Sequence, residues 1–299
     1  MKYHAGELQV QALAGVQEAA GKVSGVMRST IPGAAQTFLR QQRWLLAASL
    51  DSDSRVWASI LVGEPGFMKI PDEKTIRITA ASPPDSLIKN LRDNPQIGLL
   101  AIEFSTRRRA KLKGKAEIPA DGAILVRLER VYSLCPKYIQ AREPIEQLLK
   151  SPGESRTQIS NQLTEAQTLW ISQADTFFIA SFHPETGADA SHRGGNPGFI
   201  QVVDSRQLIF PDYTGNRMFN TLGNITENPS AGLVFLDFVD GRILQLSGKA
   251  KVIWDQSLIK DFAGAERLVA FQVEEVRETA AVLLSRWQFL GYSPFNPEA

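Results

Sequence analysis

The sequence predicts a mainly β protein with flanking helices, in which two copies of one small, mostly antiparallel barrel follow each other along the chain. The first observation is an internal repeat: the Pro-Gly-Phe corner at residues 65–67 returns at residues 197–199, and the block at residues 94–115 returns at residues 228–249. The second is that short apolar segments at close spacing surround one helical segment per copy, a pattern typical of small barrels. Repeated sequence indicates repeated structure, so both halves are expected to share one fold.

The composition is that of a globular protein without a strong charge. Of 299 residues, 43% are hydrophobic and 22% are charged, and the formal net charge is +1. We therefore expect no nucleic-acid partner. No run reaches the ~18 apolar residues of a membrane helix, and the start of the chain lacks the layout of a secretion signal, so no membrane partner is expected. The single Cys135 excludes an internal disulfide and fits a reducing cytoplasm.

No metal site is expected from the sequence. Cys135 is interpreted as a small buried apolar residue, and cysteine-based zinc sites are excluded because it is the only cysteine. His4 and His183 stand in polar, turn-like contexts, where we predict solvated loop residues.

The elements of the first copy begin after an arm at residues 1–30, which we predict to dock through a short helix. A turn at residues 51–54 then reverses the chain between two apolar strands. The first copy is expected to contain a helix at residues 36–43 and strands at residues 44–50, 56–62, 97–104 and 110–118.

The second copy follows a polar, turn-rich linker at residues 151–156, so we divide the chain into domains 1–155 and 156–299. Its helix is expected at residues 218–227, ending before Pro229. Its strands are expected at residues 176–181, 190–193, 199–203, 207–210, 232–238, 243–254 and 266–278.

The densest polar cluster is Ser191-His192-Arg193-Gly194-Gly195, at the end of a predicted strand. Paired glycines expose backbone N–H groups, a guanidinium matches phosphate oxygens, and a serine adds a hydroxyl, so a phosphate is a natural ligand. The same residues also fit a polar strand end whose glycines serve a turn, because the first copy has a glycine at the corresponding position. The local pattern leaves both interpretations open.

The segment Pro211 to Arg217 favours the phosphate interpretation. It reads as a turn that leads into the predicted helix, so that Asn216 or Thr214 would cap the helix and Arg217 would project from its first turn. First-turn amides and a guanidinium together favour an anion. Because the helix dipole mildly disfavours a cation at this end, Arg217 itself indicates a bound anion.

A basic run extends from Arg107 to Lys115 in the first copy. No aromatic residues interleave with it, and the whole chain is nearly neutral, so a solvated hairpin is favoured over a nucleic-acid surface. A phosphate contact across the interface between the barrels is the alternative.

The motifs of the second copy together resemble the pyridoxamine 5'-phosphate oxidase-like FMN-binding split barrels, and most closely a bacterial tandem subgroup. The matching segments are Ala-Ser-His-Arg-Gly-Gly-Asn-Pro-Gly-Phe at 190–199, Phe-Pro-Asp-Tyr-Thr-Gly-Asn-Arg at 210–217, Asn-Pro at 228–229, and Leu-Gln-Leu-Ser-Gly-Lys-Ala at 244–250. The resemblance implies tandem FMN-binding split barrels, with FMN in a cleft between two barrels.

The resemblance also implies which residues hold the cofactor. Arg217 takes the phosphate role, Asn216 adds a polar contact, and the strand from Ser191 runs under the flavin. The residues implied to bind FMN are Ser191, His192, Arg193, Gly194, Gly195, Asn196, Pro211, Asp212, Asn216, Arg217 and Gln245. Arg217-Met218 stands where true pyridoxamine phosphate oxidases carry Arg-Lys, so the same substrate is not implied.

The implied function is that of an FMN-dependent oxidoreductase with an unknown small-molecule substrate. The alternative is a protein that binds flavin, or haem, for storage or stress response without turnover. No side chain stands out as the catalytic acid or base, and Tyr213, Asp212 and His192 are candidates only by their location. The first copy lacks the helix-entry arginine, so its expected role is structural. It can form the opposing wall of an internal pseudo-dimer with one site, or two chains can form a homodimer with two sites, and the sequence does not choose between them.

Overall fold

The computed structural model describes residues 3–23, 25, 27–133, 136–147, 156–280, 282–283 and 285–298. Cys135 and most of the predicted linker lie outside this part of the chain. Across these ranges, every helix is too short or too polar to cross a bilayer.

The chain runs through two similar series of elements. The first half contains α1 (Ala5–Leu13), α2 (Gln17–Val23), α3 (Gly33–Arg40), β1 (Trp44–Leu50), β2 (Val56–Val62), β3 (Met68–Asp72), β4 (Thr75–Ile78), α4 (Asp85–Asp93), β5 (Gln96–Glu103), β6 (Arg108–Glu117), β7 (Ile124–Ser133) and β8 (Ala141–Gln147). The second half contains β9 (Thr157–Ser160), α5 (Glu165–Gln173), β10 (Thr176–His183), β11 (Gly187–Gly194), β12 (Gln201–Asp204), β13 (Gln207–Asp212), α6 (Asn220–Glu227), β14 (Ser230–Leu236), β15 (Ile243–Ile253), α7 (Gln256–Ile259), β16 (Arg267–Thr279) and β17 (Ser285–Gly291).

Each half forms its own antiparallel sheet, and the two sheets have equivalent strand orders, which confirms the predicted duplication. In the described residues, the first sheet has the order β2-β1-β5-β6-β7-β4-β3 and the second has the order β11-β10-β14-β15-β16-β13-β12, with β9 added beside β16. Each strand of the first sheet has its counterpart in the same place of the second. The fold is therefore a pair of split barrels in tandem, mainly β with flanking helices.

The predicted strands at residues 44–50 and 56–62 are confirmed at those bounds. The helix predicted at residues 36–43 begins and ends three residues earlier, because Pro32 supplies its N-terminal boundary. The strand β7 and the pair β8–β17 were not predicted.

β1 is apolar along its length because both of its faces are buried. Leu45 and Ala47 pack into the core of the first barrel, while Trp44, Leu46 and Ala48 pack into a core that both halves share. Alternate residues of a strand point to opposite faces, so a strand between two cores reads as a continuous apolar run. β10 repeats this arrangement, with Phe177 and Ile179 in the second barrel's core and Phe178 and Ala180 in the shared core.

Strands of the two halves approach each other closely at two equivalent glycines. A Cβ on Gly98 of β5 would lie 2.7 Å from the carbonyl oxygen of Ala188 in β11. A Cβ on Gly232 of β14 would lie 2.6 Å from the carbonyl oxygen of Val56 in β2. Both distances are shorter than a side chain allows, so glycine is required at both positions. The halves therefore contact each other along two related strand crossings.

The N-terminal arm docks onto the second half, as its predicted short helix suggested. α1 packs against α6, where a Cβ on Gly223 would lie 2.6 Å from the backbone nitrogen of Glu7. At the other end of the chain, β17 pairs with β8 of the first half. Both termini thus cross between the halves, and the division at residue 155 stays a prediction.

His4 and His183 are buried, so the prediction that both are solvated loop residues is wrong. Their rings stack with centroids 4.0 Å apart, where the arm meets the second barrel. His183 Nδ1 accepts two backbone N–H groups of the following turn, which leaves its proton on Nε2 for donation to Glu227 at 2.7 Å. His4 Nε2 lies 3.0 Å from Oδ1 of Asn224. The contact between His4 and Asn224 anchors the arm, and the sequence did not predict it because the two residues are 220 positions apart.

Candidate functional site

A cavity opens where the two halves meet. The volume inside it that a water-sized sphere can reach is ≈ 130 Å³, and the cavity is partly open to solvent. Arg109 and Lys111 of β6 form the wall from the first half, and Lys137 and Tyr138 lie at its edge. The second half supplies the rest through β11, the end of β13 and the segment that leads into α6.

Most of the residues implied to hold the cofactor line this cavity. Those that do are Ser191, His192, Arg193, Gly194, Pro211, Asp212, Asn216 and Arg217. They belong to two segments about twenty residues apart in the sequence, which the antiparallel sheet and the entry to α6 bring to one wall.

Gly195, Asn196 and Gln245 are not part of the cavity wall. A Cβ on Gly195 would lie 2.6 Å from the ring of the phenylalanine in the Pro-Gly-Phe corner, so this glycine serves the turn after β11. Asn196 Nδ2 donates to the carbonyl oxygen of Pro297 at 3.0 Å. Gln245 Nε2 donates to the carbonyl oxygen of Ala58 at 2.7 Å, at the other contact between the halves.

The basic run of the first half is not a solvated hairpin, and that prediction is wrong. Lys111 and Lys113 are only 3% and 2% exposed, and Arg109 and Lys111 line the cavity. Because alternate residues of a strand share a face, these three side chains of β6 turn together toward the second half. Arg108 and Lys115 of the run are exposed, and Arg107 at the tip of the hairpin donates to the carbonyl oxygen of Ile139.

The two lysines meet a buried carboxylate of the second half. Lys111 Nζ lies 2.6 Å and Lys113 Nζ 3.4 Å from Oδ1 of Asp189. Lys111 also donates to Ser191 Oγ at 3.1 Å, and Thr221 Oγ1 lies 3.1 Å from Asp189 Oδ2. This network joins the halves beneath the cavity. Sequence reasoning missed it because the acid and the lysines are about eighty residues apart and belong to different barrels.

Burial and charge act in opposite directions on this network. Burial alone would raise the pKa of Asp189, but the charges of Lys111 and Lys113 outweigh it and lower the pKa to about 2. Burial lowers the pKa of Lys111 to about 8, although the charge of Asp189 opposes the shift. Two lysines share one carboxylate, so the network carries an excess of positive charge next to the cavity.

His192 presents a neutral ring to the cavity wall. Its Nδ1 lies 3.2 Å from Nη1 of Arg109, and because a guanidinium only donates, Nδ1 accepts and the proton is on Nε2. Burial and the charges of Arg109 and Arg193 lower the pKa of His192 well below its usual value. The side chain therefore contributes polarity to the site without charge.

Asp212 is engaged in two ion pairs. Arg267 Nη1 donates to its Oδ2 at 2.7 Å, and Arg193 Nη2 lies 3.6 Å from its Oδ1. Arg267 is buried, while Arg193 reaches the cavity. Asp212 thus holds Arg193 at the wall and compensates for its charge in part.

The segment before α6 differs from the predicted helix start. α6 begins at Asn220, and Phe219 occupies its N-cap position with a φ of 59° and without a side-chain cap. Arg217, with a φ of 63°, precedes the helix and does not project from its first turn. Asn216 does not cap the helix either, since its Oδ1 accepts the backbone N–H of Met218 at 3.1 Å. Arg217 and Phe219 thus both have a left-handed backbone, which the residue types alone did not indicate.

Two tyrosines stand together at the cavity. The rings of Tyr138 and Tyr213 have centroids 5.1 Å apart, and Tyr138 donates its hydroxyl to the carbonyl oxygen of Thr214 at 3.1 Å. Burial, with a smaller contribution from Tyr138, raises the pKa of Tyr213 to about 12. Tyr213 therefore keeps its proton at neutral pH and offers an aromatic surface with a hydroxyl donor.

The charge of the cavity wall suits an anion. In the described part of the chain, basic side chains outnumber the carboxylates that line it: Arg109, Lys111, Lys137, Arg193 and Arg217 against Asp212. A concave wall of one sign attracts ligands of the other. Arg217 is exposed at the cavity, so its guanidinium is accessible to a ligand. The residues present fit a phosphate-bearing aromatic cofactor.

A comparison with models of known protein families finds the same internal repeat. The family model of pyridoxamine 5'-phosphate oxidase matches the chain twice, at residues 31–153 and 163–284. No curated protein matches the chain.

Solved structures resemble single barrels of this chain. A protein of Lactobacillus delbrueckii described as a candidate pyridoxamine 5'-phosphate oxidase is 21% identical, with a TM-score of 0.32, and the match covers 39% of this chain and 94% of that one. HupZ from Group A Streptococcus is 12% identical, with a TM-score of 0.32 and coverage of 38% and 90%. An FMN-binding protein from Syntrophomonas wolfei is 8% identical, with a TM-score of 0.27 and coverage of 38% and 83%.

The two family matches together span most of the chain, and each falls on one of the two split barrels. The chain therefore belongs to the pyridoxamine 5'-phosphate oxidase family, as a tandem pair of its barrels.

Proposed function

We propose that the chain binds FMN in the cavity between its halves and acts as an FMN-dependent oxidoreductase on a small molecule. The observation that carries this proposal is the excess of basic side chains around one cavity, contributed by both halves of a protein of this family. The mouth of the cavity offers the exposed Arg217, and its inner wall offers Arg109 and Lys111. Such a wall complements the charge of a nucleotide phosphate.

In this proposal the residues of the second half hold the phosphate end. Arg217 binds the phosphate and Asn216 adds a polar contact, while Ser191, His192, Arg193 and Gly194 lie along the flavin and the ribityl chain. Pro211 and Asp212 flank the phosphate, and Asp212 keeps Arg193 in place.

The first half replaces Gln245 in the proposed flavin contact. In the repeat, Lys111 is the counterpart of Gln245, and it is Lys111 that lines the cavity. We therefore assign the contact from the adjoining strand to Lys111 and its neighbour Arg109. Bound FMN would supply the electron-transfer chemistry, and the chain's own residues bind it, orient it and limit access to it.

A spectrum of the purified protein tests the proposal. We expect absorbance near the flavin bands, or its appearance after FMN is added and the excess removed. Bleaching by NADPH or NADH and recovery on adding an acceptor would support an oxidoreductase. A yellow protein that no donor reduces would favour flavin storage or sensing, and a protein that stays colourless would exclude FMN binding. We keep the cytoplasmic location as a prediction.

A further inference from the structure

The N-terminal arm contacts the segment that carries Arg217. Gln11 of α1 donates from Nε2 to the carbonyl oxygen of Met218 at 3.3 Å. Glu7, one turn earlier in α1, accepts a hydrogen bond from Nδ2 of Asn220. The arm therefore holds the residue directly after Arg217 and the first residue of α6.

Both arm side chains are buried, although both are polar. Glu7 and Gln11 are each 1% exposed. The second oxygen of Glu7 accepts the backbone N–H of His4 at 2.9 Å, so this carboxylate is committed within the arm and to Asn220. Buried polar groups without partners destabilise a protein, so these contacts fix the arm and the segment relative to each other.

The segment that the arm holds has a strained backbone. Arg217 and Phe219 are both left-handed, with φ values of 63° and 59°, and neither is glycine. A non-glycine residue keeps such a conformation only where its surroundings enforce it. The arm fixes Met218, which lies between the two strained residues, and Asn220, which follows them.

We propose that Gln11 and Glu7 are positioning residues that hold Arg217 in its ligand-binding conformation. The inference rests on the proposed function of Arg217 as a ligand of the FMN phosphate. Neither arm residue lines the cavity, so each acts through the backbone at Met218 and Asn220.

The variant Gln11→Met tests the proposal because it keeps the length of the side chain and removes its donor. Gln9→Met, at an exposed position of the same helix, is the matched control. In ligand-free protein we expect faster amide hydrogen exchange across residues 216–223 in Gln11→Met, and about a tenfold weaker affinity for FMN, the size of one lost buried hydrogen bond. The control should match the wild type in both measurements.

A double-mutant cycle separates positioning from a general loss of structure. If Gln11 acts through Arg217, then Gln11→Met should weaken FMN binding in the wild type and have no further effect in Arg217→Ala. The proposal would be overturned if the losses of FMN affinity caused by Gln11→Met and Arg217→Ala simply added. It would also be overturned if the hydrogen exchange and FMN affinity of Gln11→Met equalled those of Gln9→Met. Glu7→Gln provides a second variant with the same expectations. Hydrogen exchange is measured without ligand. A protein that fails to bind FMN would therefore contradict the proposed function, while the exchange data would still test whether the arm holds the segment at residues 216–223.

Discussion

The two contacts between the halves are related by the repeat, yet only one of them forms a charged cavity. On one side, lysines of β6 meet a carboxylate of β11. On the other side, Gln245 and Ser247 of β15 occupy the equivalent positions and donate to backbone carbonyls of β2, at 2.7 Å and 3.0 Å. One crossing thus places two lysines against a buried carboxylate, and we call it the lysine contact. The other places Gln245 and Ser247 against backbone carbonyls, beside an ion pair between Arg55 and Glu275 at 2.5 Å, and we call it the glutamine contact.

The frame around the two contacts is the same. Asn90 of α4 donates to Ser49 of β1 at 3.0 Å, and Asn224 of α6 donates to Ser181 of β10 at the same distance. Each hydrogen bond ties a helix to the strand that lies second from the edge of the sheet in the same barrel. Duplication therefore kept the parts that hold a barrel together.

Four positions that line the cavity or its lysine network in the second copy hold other residue types in the first. Trp57, Ile60, Leu61 and Leu87 stand where the second copy has Asp189, His192, Arg193 and Thr221. The indole of Trp57 donates to Asp51 at 2.9 Å, and the guanidinium of Arg277 lies 3.8 Å above its ring. Large side chains thus fill the contact that is open on the other side. The comparison predicts one ligand site per chain.

The largest expected effect comes from removing the carboxylate of the lysine contact. Asp189→Leu leaves Lys111 and Lys113 buried without a counter-charge, which we expect to lower the free energy of unfolding by about 3–5 kcal/mol. Adding Lys111→Gln and Lys113→Ser, the residues that stand at the equivalent positions of the glutamine contact, should restore most of the loss in chemical denaturation. Ser247→Ala should cost only about 1 kcal/mol. Equal losses at the two contacts would contradict the distinction between them.

The next effect concerns the ligand. Arg217→Ala should weaken FMN binding by about 10- to 100-fold, because it removes a charged hydrogen bond of about 1.5–3 kcal/mol. Fluorescence titration of the apoprotein measures this change, and the same titration should give one FMN per wild-type chain. Lys89→Ala, at an exposed position of α4 in the first half, is the control and should leave the affinity unchanged. Two sites per chain would mean that the glutamine contact also binds FMN.

A smaller effect should appear with pH. The pKa of Lys111 is lowered to about 8, so this side chain is charged below that pH and neutral above it. The affinity for anionic FMN should therefore be full below pH 8 and fall by about fivefold, or about 1 kcal/mol, as pH rises through it. Lys111→Arg stays charged and should remove the dependence between pH 7 and 9.5. A wild-type affinity that is flat over this range would show that Lys111 does not face the ligand.

The smallest effect on FMN binding is expected at the glutamine contact. Trp57→Phe removes the indole hydrogen bond to Asp51 and should lower the free energy of unfolding by about 1 kcal/mol. Its FMN affinity and stoichiometry should equal those of the wild type. A second bound FMN in this variant would reveal that Trp57 alone closes the other contact.

Much of the fold was predictable because the repeat and the buried strands leave strong local patterns. β1 and β2 have cores on both faces, so their apolar runs marked their bounds. β7 mixes apolar and charged residues in a partly alternating pattern that is a local strand signal, and the prediction missed it. β17 pairs with a strand more than a hundred residues away, so that its pairing left no local signal.

The candidate site was predictable only on the side that carries a compact motif. Ser191 to Gly194 and Asn216 to Arg217 are dense in polar and glycine residues, and the cavity unites them. Lys111 was missed because a buried lysine looks like a solvated one until its counter-charge is found in another barrel. The helix start was misplaced because the left-handed backbone at Phe219 depends on the arm, which lies some two hundred residues away.

The docking of the arm on α6 has a consequence for the order of assembly during synthesis. Asn224 is synthesised 220 positions after its partner His4. At translation speeds of about 5–20 residues per second, roughly 10–40 s pass between the synthesis of the arm and that of its binding surface. The first barrel can fold during that interval, while the segment that ends in Arg217 is held by the arm only after α6 has been made.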